Sequence, residues 1–250
     1  MTERAGSEAV RRPATALLLA AGSGERLAAP EPKAFVPLRG LPLFVHSLRA
    51  MAASEVLEGL VLVVPVSWES RAKELIAEHA AAGFVLDTVV GGRTRQESVR
   101  RGLEAVPPHA AIVVCHDAAR PFASPRLHGL VVRTLQERIH AAHGVIPVTR
   151  PLDTVKRLAE DRVVETVPRD DIGLAQTPQA FQAGALREAH DAAAHSTPPF
   201  DATDDAMLLE FAGFTVVTVP GEAGNVKVTS AHDLERAESA DAPGSEQAHG

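Results

Sequence analysis

Short apolar runs alternate with amphipathic stretches along the middle of the chain. Thr15–Ala20, Gly59–Val64, Val85–Val90, Ala111–His116, Val145–Val148 and Thr215–Val219 predict strands. Between them, Leu43–Ala53, Glu69–Ala82, Arg95–Val106, Arg126–Ala142, Ala185–Ala194 and Asp204–Phe211 carry apolar residues at helical spacing and predict helices. The runs LLLA, LVLVV and AIVVC are continuous rather than alternating, which suits strands covered by helices on both faces. Strand–helix alternation of this kind predicts an α/β fold, a doubly wound and mostly parallel sheet of Rossmann-like nucleotidyltransferase type. Ligands of such sheets bind beyond the carboxyl ends of the strands, so the loops there are where chemistry is sought.

One segment breaks the alternation. Asp153–Val167, DTVKRLAEDRVVETV, sets two β-prone runs around Ala159-Glu160-Asp161 and predicts a charged hairpin within an arm spanning about 151–176. With few large apolar residues it has little core of its own and calls for a partner surface. Residues 1–12 and 237–250 are small, polar and aperiodic, and are expected to be disordered tails around a single domain over 13–236.

Charge narrows the reading. A net charge of -7 argues against a broad nucleic-acid surface, while leaving room for a local cluster of cations around a small anion. The single cysteine, Cys115, lies in an apolar run; this excludes a disulfide framework and reads as a buried strand residue in a reducing compartment. Leu17–Ala21 is far too short to span a bilayer, and Met1–Pro13 lacks the apolar core of a secretory signal. The expectation is a cytoplasmic protein with no membrane or nucleic-acid partner.

The loops carry the candidate chemistry. After the first strand comes Ala20-Ala21-Gly22-Ser23-Gly24-Glu25-Arg26, with Lys33 a few residues on. Glycines let backbone N–H groups approach a phosphate, and Arg26 and Lys33 add full charges. The third glycine of a dinucleotide fingerprint is missing, no acidic residue closes the second strand, and no Gly-Lys-Ser/Thr follows; this weakens an NAD-dependent dehydrogenase and excludes a Walker A loop. A strand-to-helix turn with incidental basic residues is the plain alternative. Gly91-Gly92 precedes a helix start, with Ser98 about one turn inside. His116-Asp117-Ala118-Ala119-Arg120 ends the fourth strand; Asp117 and Arg120 are placed to meet a metal–phosphate group or to pair with each other, and His116 reads as structural. Thr203 is expected to cap a helix whose first turn holds Asp204 and Asp205. Lys227, in an apolar-flanked run, suits a strand only if it faces an anion or solvent.

The motifs LAAGSGERL, PKAF, GGRTRQESV, HDAARPF, DTVK, QTPQAF, TDDA and NVKVT occur in this order. Together, from about Ala14 to Leu234, they resemble the 2-C-methyl-D-erythritol 4-phosphate cytidylyltransferase family. The resemblance implies transfer of CMP from CTP to methylerythritol phosphate. It implies catalytic roles for Arg26, Lys33, Arg169 and Lys227, the first two on the α-phosphoryl group. It implies nucleotide binding by Ala20, Ala21, Gly22, Ser23, Gly24, Gly92 and Ser98. Asp117, Arg120, Thr154, Arg169, Thr177, Thr203 and Lys227 match positions on the methylerythritol phosphate side. The arm that carries Arg169 implies a homodimer with a shared site. Pro168 before Arg169, Asp170-Asp171 after it, and Arg93 in place of an acidic residue depart from the family's usual setting.

The nucleophile of such a transfer is an already ionised phosphate oxygen, so no general base is required and charge neutralisation carries the catalysis. Mg²⁺, bound largely by the triphosphate with help from Asp117, is the expected cofactor. A ribitol-5-phosphate cytidylyltransferase shares much of this chemistry, and a non-catalytic nucleotide-binding module is the alternative of a different class.

Overall fold

The computed structural model describes residues 12–22, 24, 30–79, 83–198 and 200–239. Most of the expected tails, the last residues of the helix expected to reach Ala82, and Ser23 and Arg26 of the first loop lie outside the described residues.

β1 (Ala14–Leu19), β4 (Gly59–Val64), β5 (Val85–Val90) and β6 (Ile112–Asp117) form a parallel set in the order β6-β1-β4-β5. Between β1 and β4 the described residues make a 3-10 turn at Lys33–Phe35, a small ribbon of β2 (Pro37–Leu38) and β3 (Leu41–Pro42), and helix α1 (Leu43–Ala52). Helices α2 (Glu69–Glu78) and α3 (Arg95–Ala105) follow β4 and β5. Every residue of β4, GLVLVV, is buried, as the continuous apolar run requires. The pleat sorts neighbouring side chains to opposite faces. Ala16, Leu18, Leu60 and Leu62 pack under Phe44, Leu48 and Ile76 on one face, while Leu17, Val61, Val113 and Cys115 meet Val99, Leu103 and Leu186 on the other.

Beyond β6 the sheet is mixed. After α4 (Pro125–Glu137) come β7 (Gly144–Thr149), the hairpin β8 (Val155–Ala159) and β9 (Arg162–Val167), then β10 (Leu174–Ala175) and β11 (Gln179–Gln182). β11 runs antiparallel between β6 and β7, and β10 pairs antiparallel with the far end of β7. Helices α5 (Ala183–His195) and α6 (Asp205–Phe211) lead to β12 (Val216–Pro220), which pairs parallel with β7. The antiparallel insertion is absent from the expected strand set.

The hairpin is where the sequence predicts it. β8 and β9 pair only with each other, around a two-residue turn at Glu160-Asp161 with Glu160 at positive φ. Leu158, Val163 and Val164 on it are exposed.

Several boundaries differ from expectation, and three of them have a visible cause. α4 stops at Glu137, not Ala142, because the Gln182 side chain takes the carbonyls of Ile139 and Ala142 at 2.8 Å each and holds the chain in a turn. The cap of α6 is Asp204, whose carboxylate accepts from the Met207 N–H at 3.0 Å, rather than Thr203, whose hydroxyl points to the Met207 sulfur. A seventh helix, α7 (Ala231–Ser239), runs past the expected tail boundary at 237, and Ala237 is buried against Leu38 and Leu43. Its start is a reciprocal capping box: Ser230 accepts from the Asp233 N–H while Asp233 accepts from the N–H groups of Thr229 and Ser230.

Candidate active site

Register places Leu19 of β1 level with Val63 of β4 and Asp117 of β6. The chain leaves each of these strands at the same edge. A cleft of about 540 Å³ opens there, lined by the first glycine loop, the Gly92–Ser98 segment, Asp117 and Lys227.

Of the residues singled out in the sequence, Ala20, Ala21, Gly22, Gly24, Lys33, Gly92, Ser98, Asp117 and Lys227 line this cleft. The backbone explains the glycines. Gly24 has φ of 70°, and a Cβ there would lie 2.5 Å from the Lys33 Cβ, so the loop folds tightly enough to bring Lys33 alongside. A Cβ on Gly91 would lie 2.4 Å from the Ala21 Cβ; the loops after β1 and β5 therefore abut. Ser98 donates to the Thr94 carbonyl at 2.8 Å and accepts from the Gly92 N–H at 3.0 Å, pinning the loop to the start of α3. Thr94 caps that helix by accepting from the Glu97 N–H, and Glu97 folds back to the Arg93 N–H.

Arg120 and Thr177 stand immediately behind the cleft. Arg120 donates to the carbonyls of Asn225 at 2.8 Å and Ala175 at 3.3 Å. The alternative of a local Asp117–Arg120 pair is not the one formed: Asp117 Oδ2 bonds Lys227 Nζ at 2.7 Å, and Oδ1 lies 3.5 Å from Arg95 Nε. Lys227 lies in a loop, not in a strand; the loop is held by the Val228 N–H on the Ala119 carbonyl and by Asn225 Nδ2 on the Thr177 carbonyl. Burial pushes the Asp117 carboxyl up, but Arg95 and Lys227 outweigh it and hold the group well below the usual carboxylate range.

His116 is buried and structural, as read from the sequence. Burial pushes its imidazole down to about 4, so it is neutral near pH 7. Its Nε2–H donates to the Arg120 carbonyl at 3.2 Å, and Nδ1 accepts from the Thr177 hydroxyl at 3.0 Å. The Thr177 oxygen in turn accepts from the Asp117 N–H at 3.1 Å. One neutral ring thus ties the end of β6 to the segment between β10 and β11.

Thr154, Arg169 and Thr203 are exposed and do not line the cleft of this chain. Thr154 and Arg169 flank the hairpin, and Arg169 donates to the Leu152 carbonyl at 3.0 Å. The residue that sequence reading passed over is Arg95. It lines the cleft and reaches from Asp117 to Asp205 Oδ2, 2.8 Å away and fully buried at the start of α6. The GGRTRQESV motif contains it, but no local spacing announces a partner in another motif.

Among the described residues no group of three His, Cys, Asp or Glu side chains is placed to hold a metal ion, and no helix is long and apolar enough to cross a membrane. Asp117 is the single carboxylate among the described cleft-lining residues.

Comparison with known proteins shows the family. The profile of the family described as IspD, 2-C-methyl-D-erythritol 4-phosphate cytidylyltransferase, matches residues 14–240. The chain is 39% identical over 224 residues to the 2-C-methyl-D-erythritol 4-phosphate cytidylyltransferase of Corynebacterium diphtheriae, covering 89% of this chain and 91% of the relative. It is 41% identical over 235 residues to the bifunctional enzyme IspD/IspF of Solidesulfovibrio magneticus, covering 91% of this chain but 57% of that longer protein. Among solved structures, the 2-C-methyl-D-erythritol 4-phosphate cytidylyltransferase of Thermus thermophilus superposes with a TM-score of 0.71 at 34% identity, covering 89% of this chain and 96% of that one. The 4-diphosphocytidyl-2C-methyl-D-erythritol synthase of Anaerococcus prevotii reaches 0.78 at 28% identity, covering 91% and 97%.

Proposed function

Because the chain belongs to the 2-C-methyl-D-erythritol 4-phosphate cytidylyltransferase family, we propose that it transfers CMP from CTP to 2-C-methyl-D-erythritol 4-phosphate in the cleft at the carboxyl edge of its sheet. The product is 4-diphosphocytidyl-2-C-methyl-D-erythritol, an intermediate of non-mevalonate isoprenoid precursor synthesis, with release of pyrophosphate. The observation that carries this reading is the convergence of Lys33, Lys227 and Asp117, from three distant parts of the sequence, on one cleft floored by glycine-rich loops.

An anionic oxygen of the sugar phosphate attacks the α-phosphorus of CTP; the new O–P bond forms as the bond from the α-phosphorus to the bridging oxygen breaks, and pyrophosphate leaves with that electron pair. Lys33 and Arg26 neutralise charge growing on the α-phosphoryl oxygens. Backbone around Ala20–Gly24 receives the triphosphate, and Gly92 and Ser98 receive the cytosine. Lys227, Asp117, Arg120 and Thr177 hold the sugar phosphate, helped by Thr203. Thr154 and Arg169 reach it from the arm of a second subunit; a homodimer explains why both lie off this chain's cleft and why the hairpin leaves its apolar residues uncovered. His116 stays neutral and positions Thr177 and the Asp117 backbone.

Asp117 suits a supporting role toward Mg²⁺: one carboxylate, already bonded to Lys227, is too little for an all-protein magnesium site but enough to lend an oxygen to an ion held chiefly by the triphosphate. When bound, the ion supplies further charge neutralisation at the phosphates. The reading is of a cytoplasmic enzyme of one catalytic domain over 13–236, with α7 completing its edge.

The test is to incubate the purified chain with CTP and 2-C-methyl-D-erythritol 4-phosphate, with and without Mg²⁺, and follow the CDP-linked alcohol and pyrophosphate. Product with methylerythritol phosphate and little with ribitol 5-phosphate supports the assignment; the reverse preference moves it to the ribitol enzyme, and no product with either acceptor reduces the chain to a binding module.

A further inference from the structure

Charges alternate along one line from the cleft into the core. Lys227, with its side chain 42% exposed, bonds Asp117 at 2.7 Å, and Asp117 lies 3.5 Å from Arg95. Arg95 lies 2.8 Å from Asp205, and Asp205 Oδ1 lies 3.5 Å from His190 Nε2, with both of the last two side chains buried. The first two members belong to the site assigned above; the last three have no part in the reaction as described.

An arginine fork prefers to engage one carboxylate through two parallel N–H groups. Here the fork is split between two carboxylates, with the shorter contact on the buried one. Asp205 therefore draws Arg95 back from the cleft. If Asp205 lost its charge, Asp117 would be the remaining carboxylate within reach of Arg95, and the guanidinium would close on it bidentately. The long 3.5 Å contact on Asp117 Oδ1 would then tighten, and with Lys227 already on Oδ2 both oxygens would be fully engaged by protein. Burial pushes the Asp205 carboxyl up, but Arg95 and His190 outweigh it and hold the group below its ordinary range, so the carboxylate is charged at working pH.

We infer that Asp205 is a positioning residue for the sugar-phosphate side of the site: by retaining Arg95, it keeps the guanidinium's contact with Asp117 Oδ1 long, at 3.5 Å, and that oxygen available to the incoming substrate. The inference rests on the proposed function, specifically on Asp117 as a substrate contact. Asp205 meets the cleft through Arg95 and Asp117, so the expected effect falls on the acceptor and not on the glycine loops assigned to CTP.

The test is a cycle of variants assayed for KM and kcat with each substrate in turn, with thermal melts as the check on folding. Asp117→Asn tests the underlying reading, and an unchanged KM for methylerythritol phosphate in that variant removes Asp117 from the site. Asp205→Asn is expected to raise the KM for methylerythritol phosphate by about 10-fold or more while the KM for CTP moves by less than about 2-fold, the scale of losing one charge-assisted contact. Arg95→Gln added to Asp205→Asn should recover part of that loss, because the competing guanidinium is gone. Should Asp205→Asn not fold, the comparison of Arg95→Gln with the Arg95→Gln/Asp205→Asn double variant decides: the second substitution is expected to change the KM by less than about 2-fold. A folded Asp205→Asn enzyme with wild-type KM, a double variant worse than Asp205→Asn alone, or a large effect of Asp205→Asn in the Arg95→Gln background overturns the inference while leaving the cytidylyltransferase reading in place.

Discussion

Lys227 Nζ bonds Asp117 Oδ2 at 2.7 Å, joining the loop after β12 to the carboxyl end of β6 across 110 residues of sequence. The Lys227 end is 42% exposed while Asp117 is mostly buried and keeps Arg95 beside it, so solvent screening of the lysine limits what the pair adds to stability, whereas its place at the cleft gives it a functional role. Lys227→Ala is expected to cost ~10²-fold in kcat/KM for methylerythritol phosphate with little change in Tm. Steady-state kinetics beside a thermal melt check this, and a wild-type kcat/KM takes Lys227 out of the site.

Lys33 reaches the cleft from the 3-10 turn after the first loop, with its Cα close beneath Gly24. Lys33→Ala is expected to lower kcat by ~10²-fold or more, the scale of one lost charge stabiliser in phosphoryl chemistry. Single-turnover measurement with saturating CTP separates this from weakened binding. Near-normal turnover would exclude the role.

The loops after β1 and β5 touch at Ala21 and Gly91. Gly91→Ala forces the new methyl against the Ala21 Cβ and within 2.9 Å of the Ser98 oxygen. Overpacking of this kind costs on the order of 1–3 kcal/mol, and it falls on the nucleotide loop. The expected outcome is a raised KM for CTP with a lowered Tm; an unchanged KM for CTP would show that the loop yields without disturbing the nucleotide.

Buried His116 sits among Asp117, Arg120, Lys227 and the ring of His128. Its folded pKa, about 4, lies below the unfolded value of about 6.5. The unfolded chain therefore binds the proton first on acidification. The stability tied to a neutral His116 is complete above about pH 6.5 and is lost as pH falls toward 4, a change on the order of 3 kcal/mol. Burial lowers His128 in the same direction, so the wild-type slope is a sum. His116→Gln should flatten denaturant midpoints measured between pH 7 and pH 4.5, and an unaltered slope would falsify the assignment.

Arg169 and Thr154 flank an arm that pairs only with itself. Arg169→Ala is expected to weaken use of methylerythritol phosphate chiefly. Mixed with Lys33→Ala protein under exchange conditions, it should regain about a quarter of wild-type activity, since half of randomly paired dimers hold one intact site. Mass spectrometry verifies the mixed dimers; confirmed mixed dimers without recovered activity count against a shared site.

The central parallel strands were legible because burial on both faces leaves a continuous apolar signature: β4, buried throughout, begins and ends where the sequence predicts. β5 has its predicted bounds too, although it is an edge strand with Leu86 and Asp87 exposed. β11 left no such mark. Only Ala180 and Phe181 of QAFQ are apolar, and the strand exists because β6 and β7 offer it edges on both sides. α7 presents little apolar surface, mainly Leu234 and Ala237, yet Ser230 and Asp233 at capping-box spacing announce its start. Lys33, Gly92, Ser98, Asp117 and Lys227 were readable as a set through the ordered motifs that resemble the family; the spacing of any one motif left a plain structural alternative open. Arg95 with Asp205 was not, because a through-space pairing across 110 residues has no local pattern.

β11 points the opposite way to β6 beside it, so its amino-terminal end shares the rim where β6 finishes. Gln176 and Thr177 thereby arrive at the site from the front of a strand, with no helix dependent on them for its first turn. Residues 174–177 consequently work as a bracket behind the cleft: Gln176 grips Glu222 and Asn225 of the Lys227 loop, and Thr177 grips His116 and the Asp117 N–H. Any change there is transmitted to the acceptor side through Asp117 and Lys227, while the nucleotide half, built on β1 and β5, is attached elsewhere.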